Sequence, residues 1–390
     1  MIIIQKEIPF KPTSLTPYPI EKIVKNPEKA LFIDIETTGF SAKTSKLYLI
    51  GCAYYEQDSW HLAQWFADKK DEEEVLNAFF MFASTYDTLI HFNGNRFDLP
   101  YLKAKCEQYG IEYYLDNMVS IDIYKLISPF KDVLGLENCK QKTIELFLGI
   151  NRDDIYNGGQ LIEIYEKYLD SKNEELYGLL IMHNEDDVKG MAELLPILYY
   201  YDFFESVINT PAIHMRTDAP QSENETPLAL RAVKVQANYY TDMDGKDQKE
   251  IFMKLVTPYN LPVPFRCNKD GIFVQVEGDH ASLRIPLYEE ELKYFYSNYK
   301  DYYYLPDEDQ ALHKSVASFV ERSHRVQAKA ENCYTRKPGQ YLRQWDLVFT
   351  PFFKHEYKEH AMYFELTDYI KTNRSAMSLY ACHVLGYLFS

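Results

Sequence analysis

The sequence lacks the features of a membrane-spanning or exported protein. No stretch reaches the roughly 18 consecutive apolar residues that a spanning helix needs, and the first residues lack the basic segment and long apolar core of an export signal. The six cysteines are scattered without a C-x-x-C pair. That pattern is typical of reduced thiols rather than of a zinc site or a disulfide framework. We therefore predict a cytoplasmic protein with no membrane partner.

The sequence also lacks an excess of basic residues. Its 42 Lys and Arg stand against 58 Asp and Glu, which gives a formal net charge of −16. Such a balance produces no global field that attracts a polyanion. Any binding of nucleic acid must therefore depend on local groups or on bound cations. Aromatic residues are abundant at 15%, a composition that suits sheet-rich packing or stacking surfaces.

Length and patterning predict two domains. At 390 residues, 46% of them hydrophobic, the chain is long enough to bury a core in each half. Over the first two hundred residues the patterns follow the order β-β-β-α-β-α-β and then turn helical, which predicts an α/β fold with a mixed sheet. Later β-type runs joined by Asp-Gly turns predict hairpins in an α+β domain. The predicted limits are an N-terminal extension 1–27, an α/β domain 28–207, a linker 208–227 and an α+β domain 228–390.

The first acidic motif interrupts an apolar strand. The run DIETTG, residues 34–39, follows three apolar residues and places Asp34 and Glu36 at positions i and i+2. Side chains two apart on a strand project from the same face. Two anions on the core side of a strand are costly unless a cation neutralises them. A divalent metal with oxygen ligands does so, which makes both acids candidate ligands.

Two later segments each add a further acid. In NGNRFD, residues 93–98, a predicted strand ends, the chain turns, and Asp98 begins a predicted helix. In HNEDD, residues 183–187, His183 and Asp187 are four residues apart on a predicted helix and lie on one face. Asn184 and Asp187 are three apart and are also adjacent. The sequence thus offers four carboxylates from three segments for one site.

Together these motifs resemble those of the DEDD 3′–5′ exonucleases, a branch of the ribonuclease H-like superfamily. Asp34 and Glu36 match the acids of the first motif, D-x-E, Asp98 the acid of the second, N-x-x-x-F-D, and Asp187 that of the third. The third motif is also similar to that of the bacterial YprB-like ribonuclease H-like domain proteins. The resemblance covers roughly residues 28–200. It implies a ribonuclease H-like domain with a mixed five-stranded sheet flanked by helices. The β-rich α+β second domain, which the hairpin patterns predict, lies outside the resemblance.

The resemblance also implies a two-metal-ion site. Two divalent cations, Mg²⁺ or Mn²⁺, suit hard oxygen ligands; Asp34 is implied to bridge both, with Glu36 and Asp187 on the nucleophile side and Asp98 bound through water. His183 is implied as the general base. It precedes Asp187 by four residues, whereas the family's histidine branch has a spacing of five and its tyrosine branch one of four. The alternative is a histidine at the edge of the core that only bonds the backbone.

Two groups of residues are candidates for contact with nucleic acid. Those beside the acids are Thr37, Thr38, Asn93 and Asn95. The others belong to the basic segment Ser323–Trp345, where interleaved aromatics can stack bases while cations follow a phosphate backbone: Arg336, Lys337 and Arg343. The alternative interpretation is that residues 312–330 form an amphipathic helix with a solvated basic face.

These observations predict a metal-dependent 3′–5′ exonuclease, a hydrolase of the phosphodiester bonds of DNA or RNA that uses two cations. Two alternatives stay open: a non-catalytic nucleic-acid-binding or scaffold protein on the same fold, and a ribonuclease H-type endonuclease. The sequence does not choose between DNA and RNA, because recognition of the 2′-hydroxyl depends on the detail of a pocket. Protein partners and the role of residues 228–390 are not predicted.

Overall fold

The computed structural model describes residues 1–9, 15–69, 71–151, 158–218, 228–241 and 244–390. They divide into two compact units, Met1–Tyr201 and Asp202–Ser390. Of the predicted linker 208–227, residues 219–227 lie outside the described residues. No helix in the described ranges is long and apolar enough to cross a membrane.

The first unit is built on one mixed sheet. Its strands are β1 (Ile2–Glu7), β2 (Ala30–Thr37), β3 (Leu47–Glu56), β4 (Ser59–Phe66), β5 (Thr88–His91) and β6 (Val119–Asp122). Its helices are α1 (Glu72–Ala83), α2 (Asp98–Tyr109), α3 (Ile123–Ile127), α4 (Gln141–Phe147), α5 (Gly158–Ser171), α6 (Glu174–Glu193) and α7 (Leu198–Ile208), the last of which continues into the second unit. The strand order is β1-β4-β3-β2-β5-β6. Strands β1 to β4 pair antiparallel, and β2, β5 and β6 pair parallel. This arrangement confirms the predicted α/β architecture.

In the described residues this sheet has six strands, where the prediction had five. The additional strand is β1, which lies within the predicted extension 1–27 and pairs with β4 from Ile2 opposite Phe66 to Glu7 opposite His61. It is short, and most of its residues are exposed. A short edge strand gives little hydrophobic pattern of its own. Its place in the sheet depends on β4, far along the chain, so local patterns did not reveal it.

The centre of the sheet is fully covered. Strands β2 and β3 are buried over most of their length, and α6 packs against both. Leu180 of α6 belongs to the same apolar cluster as Ile33 and Ile50 of the two strands. Complete burial of each such side chain contributes about 1.5–3 kcal/mol. This packing holds the helix of the third motif against the strand of the first.

A buried ion pair anchors the loop between β2 and β3. Nζ of Lys105 lies 2.8 Å from Oε1 of Glu72, and both side chains are 1% exposed. The ammonium also donates to the carbonyl of Ser45 at 2.7 Å. The carboxylate accepts the N–H of Leu47 at 2.6 Å and the hydroxyl of Tyr109 at 2.7 Å. The end of this loop is therefore tied to α1 and α2.

The second unit is rich in antiparallel strands. These are β7 (Met215–Arg216), β8 (Arg231–Thr241), β9 (Asp247–Lys269), β10 (Ile272–Pro286), β11 (Tyr288–Phe295), β12 (Tyr302–Leu305), β13 (Gln310–His313), β14 (Val326–Gln327), β15 (Tyr334–Gln344), β16 (Phe349–Thr350), β17 (Phe352–Phe353) and β18 (Met362–Glu365). Its helices are α8 (Lys314–Ala317), α9 (Asp368–Thr372) and α10 (Arg374–Phe389). The sheets have the orders β10-β9-β8, β11-β15-β18-β17, β13-β12-β14 and β16-β7. The β9–β10 hairpin turns at Asp270 and Gly271, with φ of 53° and 77°, as an Asp-Gly turn requires.

The predicted helix over residues 312–330 is wrong. Within this range only Lys314–Ala317 is α-helical, β13 ends at His313, and β14 covers Val326–Gln327. Both strands pair with β12, so the sheet satisfies their backbone groups. The apolar side chains of Val316 and Phe319 are 56% and 91% exposed and provide no buried helix face. Long-range strand pairing here overrides the helical period.

Candidate active site

The first two acids lie on the central strand β2. Asp34 and Glu36 are both half-buried. Burial above all, and then the carboxylates of Asp187, Glu36 and Asp98, raise the pKa of Asp34 well above its usual value. A hydrogen bond from Asn184 acts in the opposite direction. Asp34 is therefore close enough to the three other predicted acids for their charges to interact.

The third acid reaches the strand from the first residue of α2. Asp98 is 6% exposed, and its Oδ1 accepts the backbone N–H of Ile35 at 3.2 Å. Burial raises the pKa of Asp98 to about 7, although backbone hydrogen bonds oppose this rise. Ile35 lies between Asp34 and Glu36, so this hydrogen bond joins the second motif to the first.

The fourth acid and the histidine lie on α6. Nε2 of His183 is 3.2 Å from Oδ2 of Asp187 and 3.4 Å from Oε1 of Glu36. The hydroxyl of Tyr48 on β3 donates to Oε2 of Glu36 at 3.3 Å. One ligand atom from each of Glu36, His183 and Asp187 lies within 4.8 Å of the others. The structure thus brings the five predicted metal and catalytic side chains into one site.

This donor set fits divalent cations. Burial and the charges of neighbouring carboxylates raise the pKa of Asp34 and of Asp98, and like charges in a partly buried site are costly without a cation. Carboxylate oxygens are the hard ligands that Mg²⁺ and Mn²⁺ prefer, and imidazole also binds Mn²⁺. Asp34, Glu36, Asp98 and Asp187 are therefore suited to hold such ions, as the sequence predicts.

An amide relay that the sequence analysis missed holds Asp34. Nδ2 of the fully buried Asn184 donates to Oδ2 of Asp34 at 2.9 Å, and its Oδ1 accepts Nε2 of Gln64 at 2.9 Å. Gln64 also donates to the carbonyl of Ile181 at 3.0 Å. Gly51 lies opposite Asp34 on β3, and a Cβ there would be 1.9 Å from Oδ1 of Asn184. Only glycine therefore leaves room for the amide.

A second support fixes the loop before Asp98. The carboxylate of Asp122, at the end of β6, accepts the backbone N–H of Asn93 at 2.8 Å and that of Asn95 at 3.4 Å. Nδ1 of His91 accepts the N–H of Gly94 at 3.1 Å, and a Cβ on Gly94 would lie 2.7 Å from that ring. Burial lowers the pKa of His91, which favours the neutral ring. Asp122 thus orients the loop, and its charge adds to the effect of burial in raising the pKa of Asp98.

The four residues beside the acids that are predicted to contact nucleic acid differ in the exposure and hydrogen bonding of their side chains. The hydroxyls of Thr37 and Thr38 hydrogen-bond to the backbone of their own loop at 2.9 and 2.8 Å. Asn95 is exposed, whereas Oδ1 of Asn93 is buried without a hydrogen-bond partner. The threonines therefore shape the loop, and contact of all four residues with nucleic acid stays a prediction.

An aromatic pair beside the acids, with one exposed ring, was also missed. Phe40, which directly follows the DIETTG run, is 94% exposed. Its ring lies 6.1 Å from that of the half-buried Phe97 in an edge-to-face arrangement, and Phe97 directly precedes Asp98. An exposed aromatic ring at an acidic site is suited to stacking a base. Their position next to two of the motifs was the signal in the sequence.

The predicted basic contacts lie on β15 of the second unit. Nη1 of Arg336 is 3.3 Å from Oε1 of Glu291, and Nζ of Lys337 is 2.6 Å from Oε2 of Glu365. Arg343 has no carboxylate within 4.0 Å among the residues that the structure describes. Two of the three cations are therefore already paired with acids.

Comparison with known proteins identifies the fold of the first unit. Residues 31–199 match the model of the RNase_H superfamily, and no curated protein matches the chain. Among solved structures, the chain is similar to the family B DNA polymerase from the hyperthermophilic archaeon Pyrobaculum calidifontis, with 18% identity and a TM-score of 0.37. The match covers 48% of this chain and 26% of the polymerase chain, about a quarter of its length. The predicted superfamily is confirmed, whereas the DEDD and YprB-like assignments stay predictions. Residues 31–199 form a ribonuclease H-like domain, a fold that usually belongs to nucleases that use divalent metals.

Proposed function

We propose that the protein is a metal-dependent 3′–5′ exonuclease that hydrolyses the phosphodiester bonds of DNA or RNA with two Mg²⁺ or Mn²⁺ ions. The observation that carries this proposal is that ligand atoms of Glu36, His183 and Asp187 lie within 4.8 Å of one another, with Asp34 and Asp98 close enough for their charges to interact with that of Asp187. Acids without a shared role have no reason to come together from one strand and two helices. The ribonuclease H-like fold supports the same reaction class.

Each residue has a role in this proposal. Two bound cations would supply charge relief at the attacking and leaving oxygens and would lower the pKa of the attacking water. The carboxylates of Asp34, Glu36, Asp98 and Asp187 would hold them. His183 accepts the proton of the attacking water at Nε2, the atom that faces Glu36 and Asp187. Asn184 fixes one oxygen of Asp34 and so sets the orientation of the other.

The choice of an exonuclease rests on the motif resemblance and on the aromatic pair of the exposed Phe40 and the half-buried Phe97. Phe40 and Phe97 lie next to the first and second motifs. Stacking of a base on an aromatic ring contributes about 1–3 kcal/mol and requires a base that is free of its neighbours. A strand end offers such a base, which favours attack at a terminus.

The test is degradation of 3′-labelled and 5′-labelled DNA and RNA, single- and double-stranded, with Mg²⁺, Mn²⁺ or EDTA. A 3′–5′ exonuclease releases the 3′ label first, shortens the 5′-labelled strand progressively, and is inactive in EDTA. A strand blocked at its 3′ end should stay intact. Internal cleavage of the blocked strand would indicate the endonuclease alternative.

Variants connect this activity to the site. Asp34→Asn should lower turnover about a thousandfold, because losing a ligand shared by two cations costs several kcal/mol. Glu185→Gln is the matched control: it removes an acid of the same helix that pairs with Lys6 at 2.7 Å, and turnover should stay within about twofold. Absence of both hydrolysis and Mn²⁺-dependent thermal stabilisation would favour the non-catalytic alternative.

A further inference from the structure

Arg343 differs from the paired cations of the second unit. Those that lie within 4.0 Å of a carboxylate include Arg216, Lys249, Arg284, Lys293, Arg336, Lys337 and Lys371. Arg343 is half-buried and has no such carboxylate among the described residues. Its Nε is buried and has no hydrogen-bond acceptor. Among the described residues, this buried Nε sets Arg343 apart from other cations of the unit that lack a carboxylate, such as the exposed Lys254 and Arg266, and an external anion on the guanidinium would supply an acceptor.

The side chain of Arg343 is held by an ordered stack of rings. Its Cζ lies 5.3 Å from the ring centroid of Trp345. The rings of Trp345 and Tyr387 are parallel within 12°, with centroids 4.1 Å apart. Nζ of Lys269 lies 4.2 Å from the centroid of the Tyr387 ring. Cations thus contact both aromatic rings, and cation–π attraction orients them without neutralising their charge.

The stack borders a cavity of about 580 Å³. Trp345, Leu347, His383 and Tyr387 contribute to its walls, together with the exposed Asp346. Nε2 of His383 accepts the backbone N–H of Trp345 at 3.0 Å. Burial lowers the pKa of His383 to about 4, so the imidazole is uncharged at neutral pH. The result is a largely aromatic and aliphatic cavity beside an unneutralised cation.

We propose that this part of the second unit binds one unpaired nucleotide of a single-stranded nucleic acid, with its phosphate on Arg343 and its base in the cavity. A phosphate oxygen supplies the anionic acceptor that the guanidinium lacks. The cavity has the size of a small-molecule site, about 300–1,000 Å³, and its aromatic and aliphatic walls suit a base, with Asp346 as the one acidic side chain among its lining residues. A base enters such a cavity only when it is unstacked and unpaired, which selects single strands. The ligand class, a nucleic acid, rests on the proposed function.

The experiment measures binding by the full chain in EDTA, where hydrolysis does not interfere. The probe is a fluorescein-labelled oligothymidylate, followed by anisotropy over a series of salt concentrations. Arg343→Gln should weaken binding about tenfold and reduce the salt slope by about one. Trp345→Leu should weaken binding by a similar factor. Lys249→Gln and Lys371→Gln, which remove ion-paired cations elsewhere in the second unit, are the matched controls and should stay within about twofold of the unmodified chain.

The outcomes separate this proposal from its rivals. Arg343→Lys keeps the charge and should restore the salt slope, which a merely misfolded variant would not do. Two results overturn the proposal. One is an equal loss of affinity in the two test variants and the two control variants; the other is an unchanged affinity in Arg343→Gln. Equal affinity for a polyglutamate peptide also overturns it, since an acidic peptide does not need the cavity. Binding that depends on Arg343 in a chain without nuclease activity would refute the proposed function alone.

Discussion

Two acidic sites in the first unit differ in how the negative charge of their carboxylates is compensated. Glu72 is 1% exposed and receives an ammonium, a backbone N–H and a tyrosine hydroxyl. Asp34 receives the amide of Asn184, while three other carboxylates raise its pKa. The first site is neutralised by the protein itself. The second gathers negative charge, which is the arrangement expected where an external cation completes the structure.

The comparison separates stability from function within one domain. The ion pair of Glu72 ties the loop between β2 and β3 to two helices and so stabilises the fold. The cluster of four acids destabilises the same fold in the absence of metal, because like charges repel. Substitutions at the two sites should therefore change the free energy of unfolding in opposite directions.

The largest expected change comes from breaking the buried pair. Lys105→Met should lower the free energy of unfolding by about 3 kcal/mol, because it leaves the buried Glu72 carboxylate with only the more exposed ammonium of Lys46, 3.6 Å from its Oε2. Urea denaturation measures this change. Lys103→Met is the matched control on the same helix: it removes an exposed pair with Asp116 at 2.6 Å and should cost less than about 1 kcal/mol. Equal effects of the two variants would contradict the contrast between the sites.

The pH dependence of the metal-free chain provides the next test. In the folded state the pKa of Asp98 is raised from 3.8 to about 7. Between these values the folded chain binds more protons than the unfolded chain, so the free energy of unfolding should fall as pH rises. The fall from Asp98 is at most about 4 kcal/mol.

Urea denaturation in EDTA, from about pH 4.5 to about pH 7.5, measures this fall. Asp98→Asn does not titrate and should give a flatter curve. Saturating Mn²⁺ should also flatten it, because the cation replaces the proton as the neutralising charge. A metal-free chain that becomes more stable over this range would show that the acids do not share a desolvated site.

A smaller effect is expected from the amide relay. Asn184→Ala should lower Mn²⁺ affinity about 10–100-fold, since it frees Asp34 to rotate away from the ligand position. Calorimetric titration with Mn²⁺ measures the affinity directly, without any dependence on turnover. Glu185→Ala, the adjacent residue on α6, is the control and should leave the affinity unchanged within about twofold. Unchanged affinity in Asn184→Ala would mean that the packing of β2 alone positions Asp34.

Local patterns were sufficient to predict the four acids and the mixed sheet. Asp34 and Glu36 interrupt an apolar strand, Asp98 begins a helix after a turn, and Asp187 shares a helix face with His183. Each of these features is readable within a window of a few residues. Their convergence then follows from the way that the strands and helices of an α/β layer fold pack.

The parts that were not predicted depend on contacts between distant segments. Gln64 and Gly51 carry no charge and no turn signal, and their role exists only because α6 packs across β3 and β4. Its place in the sequence predicts that Lys105 is solvated, whereas in the structure it pairs with the buried Glu72. The helix predicted over 312–330 failed for the same reason, because pairing with β12 determines that segment.

The glycine opposite Asp34 has a consequence for tracing relatives of this domain. At Gly51 any larger residue collides with Oδ1 of Asn184. A chain that keeps the acids but carries a side chain at this position must have displaced or replaced the asparagine, and with it the clamp on its first aspartate. A glycine and an asparagine at the positions of Gly51 and Asn184 therefore indicate, from sequence alone, that an amide orients the first aspartate of the site.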